Sequence, residues 1–432
     1  MTPSPGNPRE PANGQGALAG LRVLDLSRIL AGPWASQTLG DLGAEVIKVE
    51  RPDVGDDTRA WGPPFIAGRD GKPGRDSAYY LCANRNKQSV AIDLTQPEGQ
   101  ALVRELAARS DVLIENFKLG GLAQYGLDHA SLRALNPRLI YCSITGFGQT
   151  GPYAARPGYD FLIQGMGGLM SITGQPDGEP GAGPMKVGVA LIDVLTGLYA
   201  STAILAAVQA RLHTGEGQHI DLSLLDVGVA CLANQAMNYL YSGVAPTRMG
   251  NAHPNTIPYQ DFPTSNGHMI LATGNDRQFA KFCVTAGKPE WATDARFATN
   301  ALRLRHRGEL IALIRAVTVT RPTAEWIALL EREGVPCGPI NTIPDALADP
   351  QVRSRGMRID MEHPAAGTIP LVGSPIKLSS TPVAYDTAPP TLGEHTTEVL
   401  TRLLGLSADR VAALRSQGVI ASASDSEARP AG

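Results

Sequence analysis

Short apolar runs alternate with helical stretches through the first 150 residues, and this alternation limits the possible folds more than any other feature. Residues 21–26, LRVLDL, form an apolar run, residues 34–42 have a helical pattern, and residues 45–50, EVIKVE, form a second run. The same order returns further along, at residues 89–94, 97–110, 111–116, 131–136 and 139–148. A strand, a helix and a strand within about thirty residues are typical of parallel strands joined by crossover helices. The pattern predicts a Rossmann-like, doubly wound α/β domain whose ligands bind beyond the carboxyl ends of the strands.

The pattern changes in the second half of the chain and predicts a smaller second domain. Residues 18–225 and 336–420 are expected to build the large domain, and residues 226–335 to form a small α+β domain. Residues 1–17 and 421–432 are predicted to be disordered tails, the first of them rich in Pro, Gly and Asn and without the apolar region of a secretory signal.

Charge and cysteine usage exclude several classes of protein. Lysine plus arginine number 38 against 41 for aspartate plus glutamate, so the net charge is −3. A general nucleic-acid binder has a basic surplus, and nucleic acid is therefore not an expected partner. The five cysteines are widely scattered, which favours a reducing, cytoplasmic location and predicts no metal site. Residues 187–210 are apolar, but Asp193 and small polar residues interrupt them, which favours a buried helix over a membrane span.

Several residues near strand ends are candidates for a nucleotide site. The first loop, SRILAGP, lacks the GxGxxG pattern that dinucleotide-binding folds use. Glu50 stands where such folds place a ribose-binding acid, and the adjacent Arg51 suits a phosphate, although a surface Glu–Arg pair is the alternative. The NRNK run, residues 84–87, fits either a diphosphate site or a solvated turn. Asn116 and Phe117 follow a strand, where ligands bind, but a turn asparagine and a core phenylalanine fit equally well.

Two acidic positions are candidates for chemistry. Asp193 begins the long apolar helix, where an aspartate is either a first-turn acid favoured by the helix dipole or a carboxylate nucleophile. Tyr159 and Asp160, in the sequence RPGYD, form either an acid–base pair or a turn. The chain has no GxSxG, so a serine hydrolase of that kind is excluded.

Seven motifs in one order give the chain a specific resemblance. These are LAGLRVLDLSRILAGPWASQTLGDLGAEVIKVERP, NRNKQSVAIDL, DVLIENF, GFGQTGPY, GVALIDVLTGLYA, GVPCGPI and LGEHT. From about residue 18 to residue 418, the sequence resembles the class III CoA-transferases, the group of formyl-CoA transferase and carnitine CoA-transferase. Within this family, RMGNAHPNTIPYQDF and ILATGNDRQFA look most like transferases that use succinyl-CoA and glutarate-like dicarboxylic acids.

The resemblance implies a fold, an assembly and a mechanism. The family has a large and a small domain in each chain, and two chains interlock as a homodimer. The motif GVALID implies that Asp193 is the catalytic nucleophile, which forms a mixed anhydride and then an aspartyl-CoA thioester. Coenzyme A thioesters are then substrates, no tightly bound cofactor is expected, and no membrane is involved. In related α-methylacyl-CoA racemases, a histidine occupies the position of Tyr159, so an isomerase is the alternative and the missing imidazole argues against it.

The resemblance also assigns the other site residues. Positions that match the family's CoA contacts, or lie near the reacting centre, are Leu30, Ala31, Arg51, Ile92, Asn116, Phe117, Lys118, Tyr159 and Asp160. A dicarboxylate needs a cation for its distal carboxylate, and the candidates are Arg156, Arg248 and His253.

Overall fold

A computed structural model describes residues 16–69, 71–423 and 425. Most of the two predicted tails, at 1–17 and 421–432, therefore lies outside the described residues. The predicted start of the second tail is wrong, because Ala421 lies in a strand and pairs with Ala91.

The secondary structure of the described residues alternates along the chain much as the sequence predicts. The strands are β1 (Arg22–Asp25), β2 (Glu45–Glu50), β3 (Phe65–Ala67), β4 (Pro73–Ser77), β5 (Lys87–Ile92), β6 (Val112–Glu115), β7 (Ile140–Thr145), β8 (His219–Ser223), β9 (Tyr259–Thr264), β10 (Gly267–Ala272), β11 (Cys337–Pro339), β12 (Arg358–His363), β13 (Gly367–Val372) and β14 (Ile420–Ala421). The helices are α1 (Ala31–Asp41), α2 (Ala78–Leu81), α3 (Pro97–Ala108), α4 (His129–Leu135), α5 (Asp160–Met166), α6 (Leu169–Ile172), α7 (Leu191–Thr214), α8 (Leu224–Ala230), α9 (Ala233–Ser242), α10 (Asp276–Thr285), α11 (Asn300–Arg305), α12 (Arg307–Thr318), α13 (Thr323–Arg332), α14 (Ile343–Ala348), α15 (Pro350–Ser354), α16 (Thr396–Leu404) and α17 (Ala408–Ser416).

The main sheet has the strand order β14–β5–β2–β1–β6–β7–β8. Its neighbouring strands are parallel, except that β14 runs antiparallel to β5 at the edge. The predicted parallel α/β sheet is thus confirmed. From β1 the chain proceeds to β2 on one side and later to β6 on the other, so the strand order changes direction between β1 and β6.

Apolar side chains cover both faces of this sheet because successive residues of a strand point to opposite sides. One core layer packs under α1 and α7, and it contains Val23, Val46, Val112, Ile140 and Ile204. The other layer packs under α3 and α16, and it contains Leu24, Ile47, Leu113, Val103 and Leu400. Burial of one such side chain stabilises the fold by about 1.5–3 kcal/mol. Layers on both faces make the domain doubly wound.

The chain divides into two compact units. The first unit contains the residues up to Leu169, then Val187–Met237, and the residues from Arg353 onward. The second unit contains Met170–Lys186 and Asn238–Val352. The large domain that the sequence predicts, built from both ends of the chain, corresponds to the first unit.

The predicted small domain, residues 226–335, differs from the second unit at both ends. Strand β11 pairs with β10, so the chain remains in the second unit beyond residue 335. Helix α8 packs on α5 and α7, which places residues 226–230 in the first unit. In addition, Gly250 donates a backbone hydrogen bond to Gly174, which ties a glycine-rich segment assigned to the large domain into the second unit.

The second unit has its own antiparallel sheet and core. Its strand order is β11–β10–β9, and β9 and β10 form a hairpin in which Thr264 pairs with Gly267. Helices α10, α12 and α13 cover this sheet around Phe262, Phe282 and Trp326. The unit is therefore an α+β structure.

Helix α7 is long and apolar enough to cross a membrane by length and composition, and it is the only helix of that kind within the described residues. It packs against α1 and β7, and its side chains Ile192, Ala200, Ile204 and Ala207 belong to the core of the first unit. The helix therefore forms part of a packed α/β core.

Candidate active site

A cavity of about 230 Å³ opens in the first unit at the carboxyl ends of β1, β6 and β7. It lies at the point where the strand order changes direction, and α1 and α7 begin at its wall. Ligands of doubly wound sheets bind at this kind of position. The residues that line this cavity, called cavity 1 below, include Arg28, Ile29, Leu30, Ala31, Asn116, Phe117, Lys118, Arg156, Tyr159 and Asp193.

Asp193 is the third residue of α7, and its half-buried carboxyl group lines cavity 1. Burial raises the pKa of Asp193 to about 7, and the negative charge of Asp160 contributes to this rise. Both effects destabilise the ionised form, and a carboxylate that is destabilised in this way is more basic and more nucleophilic than an exposed one. The site thus has an activated carboxyl group near neutral pH.

The start of α7 is held in place by side chains from α5. The Asp160 carboxylate accepts hydrogen bonds from the backbone N–H groups of Ile192 (2.7 Å) and Asp193 (3.3 Å). Gln164 donates to Asp160 (2.6 Å) and accepts from the backbone of Val187 (2.9 Å). Asp160 is buried and is not among the residues that line cavity 1, so it acts on the backbone that carries Asp193.

The loop after β1 has a strained conformation. Ile29 has a φ of 72°, and the left-handed region costs a β-branched residue on the order of 1–3 kcal/mol. The Ile29 N–H donates to the Asp56 carboxylate (3.2 Å). The Asn116 side chain accepts from the N–H of Arg28 (2.9 Å) and donates to its carbonyl oxygen (2.7 Å). These contacts fix the shape of the loop at the wall of cavity 1.

A second cavity, also of about 230 Å³, lies at the carboxyl ends of β1, β2 and β5 and is called cavity 2 below. It contains the predicted residues Arg51 and Ile92, and Arg28 and Phe117 line both cavities. Arg28 and Arg51 both contact Asp57, at 2.6 and 3.1 Å. Two cations therefore stand beside cavity 2, where they can meet phosphate groups.

Burial contradicts the surface pair predicted for Glu50 and both interpretations of the NRNK run, the diphosphate site and the solvated turn. Glu50 lines cavity 2, but it is buried and ion-paired with Arg59 (2.7 Å), so it is not part of a surface pair. In the NRNK run, Lys87 is fully buried, donates to Asn84 and lies 3.3 Å from Asp25. Arg85 is ion-paired with Asp41 inside the protein. Asp25 and Asp41 are 62 and 44 positions away from Lys87 and Arg85, and these two buried cations support the fold.

The three candidates for the distal carboxylate lie in different places. Arg156 lines cavity 1 and lies over the rings of Tyr153 (4.6 Å) and Phe147 (5.2 Å). Arg248 and His253 belong to the second unit, and neither is among the residues that line the two cavities. Arg248 is ion-paired with Asp177. Of the three, the structure places Arg156 at the same cavity as Asp193.

Sequence reasoning missed several groups of the site. Arg28 and Ile29 line cavity 1, but one arginine and one isoleucine in an apolar loop carry no distinguishing signal. Tyr79 lines neither cavity, but it was missed as a neighbour that senses the charge of Asp193. Burial raises the pKa of the Tyr79 phenol to about 12, with a further contribution from the negative charge of Asp193. Only long-range contacts reveal these groups.

Comparison with known proteins gives consistent matches. Residues 18–396 match the model of CoA-transferase family III. The chain is 54% identical over 386 residues to the succinate–glutarate CoA-transferase of Agrobacterium fabrum, a match that covers 89% of this chain and 95% of that protein. It is 43% identical over 415 residues to the succinyl-CoA:glutarate CoA-transferase of Homo sapiens, covering 96% and 92%.

Solved structures give the same result at the level of the fold. The crystal structure of a CAIB/BAIF family protein from Brucella suis is 52% identical with a TM-score of 0.79, and covers 90% of this chain and 100% of that chain. A hypothetical protein from Mycobacterium tuberculosis is 30% identical with a TM-score of 0.77, and covers 90% and 99%. With an activated aspartate at the switch point of its sheet and a family match over most of its length, this chain belongs to CoA-transferase family III and is a CoA-transferring enzyme.

Proposed function

We propose that this enzyme moves CoA from succinyl-CoA to a small dicarboxylic acid such as glutarate. The observation that carries the proposal is the half-buried carboxyl group of Asp193 at cavity 1, whose pKa is raised to about 7. The names of relatives that are 43% and 54% identical support succinate and glutarate as the two acids.

The proposed reaction exchanges acyl bonds on Asp193. Its carboxylate attacks the thioester carbonyl, the C–S bond breaks, and CoA thiolate leaves a mixed anhydride of succinate and aspartate. The thiolate attacks the aspartyl carbonyl and releases succinate, which gives an aspartyl-CoA thioester. Glutarate attacks this thioester, and the returning thiolate cleaves the new anhydride at the glutaryl carbonyl. Glutaryl-CoA and the free Asp193 carboxylate result, with no net change in protons.

Groups around the two cavities suit this chemistry. The positive end of the α1 dipole, at Leu30 and Ala31, faces cavity 1 and favours the negative charge that develops in acyl transfer. Arg51 and Lys118 are exposed cations that can meet the CoA phosphates. The proposed CoA-contacting residues, all of which line one of the two cavities, are Leu30, Ala31, Arg51, Ile92, Asn116, Phe117, Lys118 and Tyr159. Asp160 is near the reacting centre, where it holds the backbone of Asp193.

Arg156 is our candidate for the distal carboxylate of the acceptor. It lines the same cavity as Asp193, and aromatic rings rather than carboxylates hold its guanidinium group. Arg248 and His253 are weaker candidates because neither lines cavity 1 and Arg248 is already paired with Asp177.

We also propose an interlocked, cytoplasmic homodimer. Helices α5, α7 and α8 pack together and expose large apolar side chains on the first unit. These are Phe161, Leu162, Met166, Leu198, Tyr199 and Val229. Exposed apolar surface of this kind is typical of a subunit interface. The described cysteines are all free thiols, which agrees with a reducing compartment.

The decisive experiment is incubation with succinyl-CoA and a panel of carboxylic acids, with new CoA esters followed by mass spectrometry. We expect glutaryl-CoA to form, and hydroxylamine to trap the acylated enzyme at Asp193. Asp193→Asn should lose at least about a thousandfold in rate because the nucleophile is removed. Asp226→Asn is the matched control, since Asp226 is likewise the third residue of a helix and lines neither cavity.

Two outcomes would contradict the proposal. A wild-type rate for Asp193→Asn would exclude the nucleophile. Exchange of the substrate α-proton with deuterated water, without transfer to any acid, would instead indicate a racemase-type isomerase.

The role of Arg156 is tested separately with Arg156→Gln. We expect KM for glutarate to rise about tenfold or more, because a charge-assisted pair with the distal carboxylate is lost, while a monocarboxylate acceptor is unaffected. Arg321→Gln is the control, because Arg321 also stacks on an aromatic ring, Trp326, but lies in the second unit. Equal losses for both kinds of acceptor would exclude this role.

A further inference from the structure

Three neighbouring strands bring together a carboxyl group, a hydroxyl group and an imidazole beneath the CoA-binding loop. Glu115 ends β6, and Ser143 of β7 is its register partner. His219 begins β8, the next strand of the sheet. Glu115 and Ser143 are buried and His219 is half-buried. None of the three lines cavity 1 or cavity 2, and the proposed mechanism uses none of them.

These groups act on one another and on the loop after β6. Ser143 Oγ lies 2.9 Å from His219 Nε2, which is a hydrogen-bonding distance. The Ser143 hydroxyl also favours the ionised form of Glu115, because it lowers the pKa of that carboxyl group. The Glu115 carboxylate accepts the backbone N–H of Phe117 (2.8 Å).

The contact between Glu115 and the Phe117 N–H connects this group of side chains to both cavities. Phe117 lines cavity 1 and cavity 2, and its neighbours Asn116 and Lys118 line cavity 1. Asn116 also holds the backbone of Arg28. The position of the Phe117 N–H thus determines where the loop 116–118 presents its groups.

We infer that Glu115 is a positioning residue for the CoA site: its ionised carboxylate, bound to the backbone N–H of Phe117, fixes the loop 116–118 and makes CoA binding depend on pH. This inference rests on the proposed function, because it requires that the loop contacts CoA. It assigns a structural cause of pH dependence that is separate from the ionisation of Asp193.

The surroundings of Glu115 place its ionisation near neutral pH. Burial raises the pKa of Glu115 to about 7, and the hydrogen bonds from Ser143 and Phe117 oppose this rise. No cation is among the groups that shift it. The strands on either side of β6 carry the titratable groups Arg22 and Asp25 (β1) and Tyr141 and Cys142 (β7). Farther away are Asp221 of β8, His129 and Arg133 of α4, and Asp128, which caps α4.

These other groups do not replace the Glu115 contacts. Tyr141 donates its hydroxyl proton to the carbonyl oxygen of Leu127. The rings of His129 and His219 are stacked at 4.5 Å, and burial lowers the pKa of both. Both imidazoles are consequently neutral near pH 7, so neither places a positive charge beside Glu115.

The sign of the pH effect follows from the raised pKa. As pH falls through about 7, Glu115 gains a proton and becomes a weaker acceptor for Phe117 N–H. The affinity for CoA should therefore decrease as the pH decreases. The Ser143 hydroxyl favours the ionised form of Glu115, so its loss should raise the pKa of Glu115 and move the loss of affinity to higher pH.

The test is calorimetric titration of the whole protein with free CoA at pH values from 6 to 8.5. We expect Glu115→Gln to bind CoA about tenfold more weakly than the wild type at pH 8. At pH 6 the two should bind CoA about equally, because the variant resembles the protonated wild type. Ser143→Ala should shift the wild-type midpoint upward. The phosphates of free CoA titrate in the same way in every experiment. A difference in pH dependence between two variants therefore comes from the protein.

The control is Ser110→Ala, since Ser110 is a buried serine whose hydroxyl donates only to a backbone carbonyl, that of Leu106 (2.8 Å). It should leave the pH dependence of CoA binding unchanged. The positioning role is excluded if Glu115→Gln binds CoA like the wild type at pH 8. It is also excluded if the variant loses thermal stability without any change in CoA binding. If Glu115→Gln does not fold, an unchanged midpoint in Ser143→Ala excludes it. If the wild type does not bind CoA, the proposed function fails instead.

Discussion

The acidity of Asp193 depends on burial and on one neighbouring charge. Asp160 places a second carboxylate at the start of α7, where it accepts two backbone hydrogen bonds. Its charge disfavours ionisation of Asp193, whose pKa is raised to about 7. Because the ionised form is the nucleophile, kcat/KM should fall as the pH decreases below about 7.

Asp160→Asn tests this coupling at the level of one residue. The amide oxygen can still accept hydrogen bonds from α7, but the charge is removed. The pKa of Asp193 should therefore decrease, and the acid limb of kcat/KM for succinyl-CoA should move on the order of one pH unit lower. Asp409→Asn, an exposed first-turn aspartate of α17, is the control. An unchanged limb in Asp160→Asn would show that burial alone raises the pKa.

At the level of elements, the close crossing of α1 and α7 connects the two helices that begin at cavity 1. Gly197 of α7 faces α1, and a Cβ added there would lie 2.7 Å from the carbonyl oxygen of Ala31 and 2.9 Å from Trp34 Cβ. Only glycine permits this approach. The first turn of each helix, at Ala31 and at Asp193, lines the cavity, so their separation and the site geometry are linked.

Gly197→Ala should push these helices apart. We expect a loss of about 1–3 kcal/mol in the free energy of unfolding, measured by urea denaturation, together with a lower kcat. Gly308→Ala is the matched control, because Gly308 lies in helix α12 with open space around its Cβ position. That change should stabilise the protein by about 0.5–1 kcal/mol, as alanine does in helices. Stabilisation by Gly197→Ala would contradict the close contact.

At the level of the whole molecule, the exposed apolar face of α5, α7 and α8 predicts self-association. Leu198→Arg places a charge in that face, and a buried unpaired charge strongly opposes association. Light scattering after size-exclusion chromatography should show a dimer for the wild type and a monomer for this variant. Leu135→Arg, at an exposed leucine of α4, should leave the dimer intact. A wild-type monomer, or a dimer that tolerates Leu198→Arg, would exclude this interface.

Patterns of nearby residues were enough to predict much of the fold. Alternation of apolar runs predicted the parallel sheet, and the motifs predicted the family that the comparisons confirm. The sequence also predicted that Asp193 lies at the start of a long helix, because apolar composition and helix ends are local properties. The domain boundary at residue 335 could not be predicted, because β11 joins the second unit through long-range pairing with β10 and packing against α13.

The chemistry of buried groups was decided by contacts between distant residues. The Lys87 ammonium group contacts Asp25, which is 62 positions away in the sequence. The NRNK run, which was predicted to be a phosphate site or a solvated turn, is therefore buried and supports the fold. Asp160 reaches the backbone of Asp193 across 33 positions. Local sequence determines backbone periodicity, and therefore which strands and helices form. The pKa and partner of each buried group depend on desolvation and on long-range charge, and only the tertiary structure brings those together.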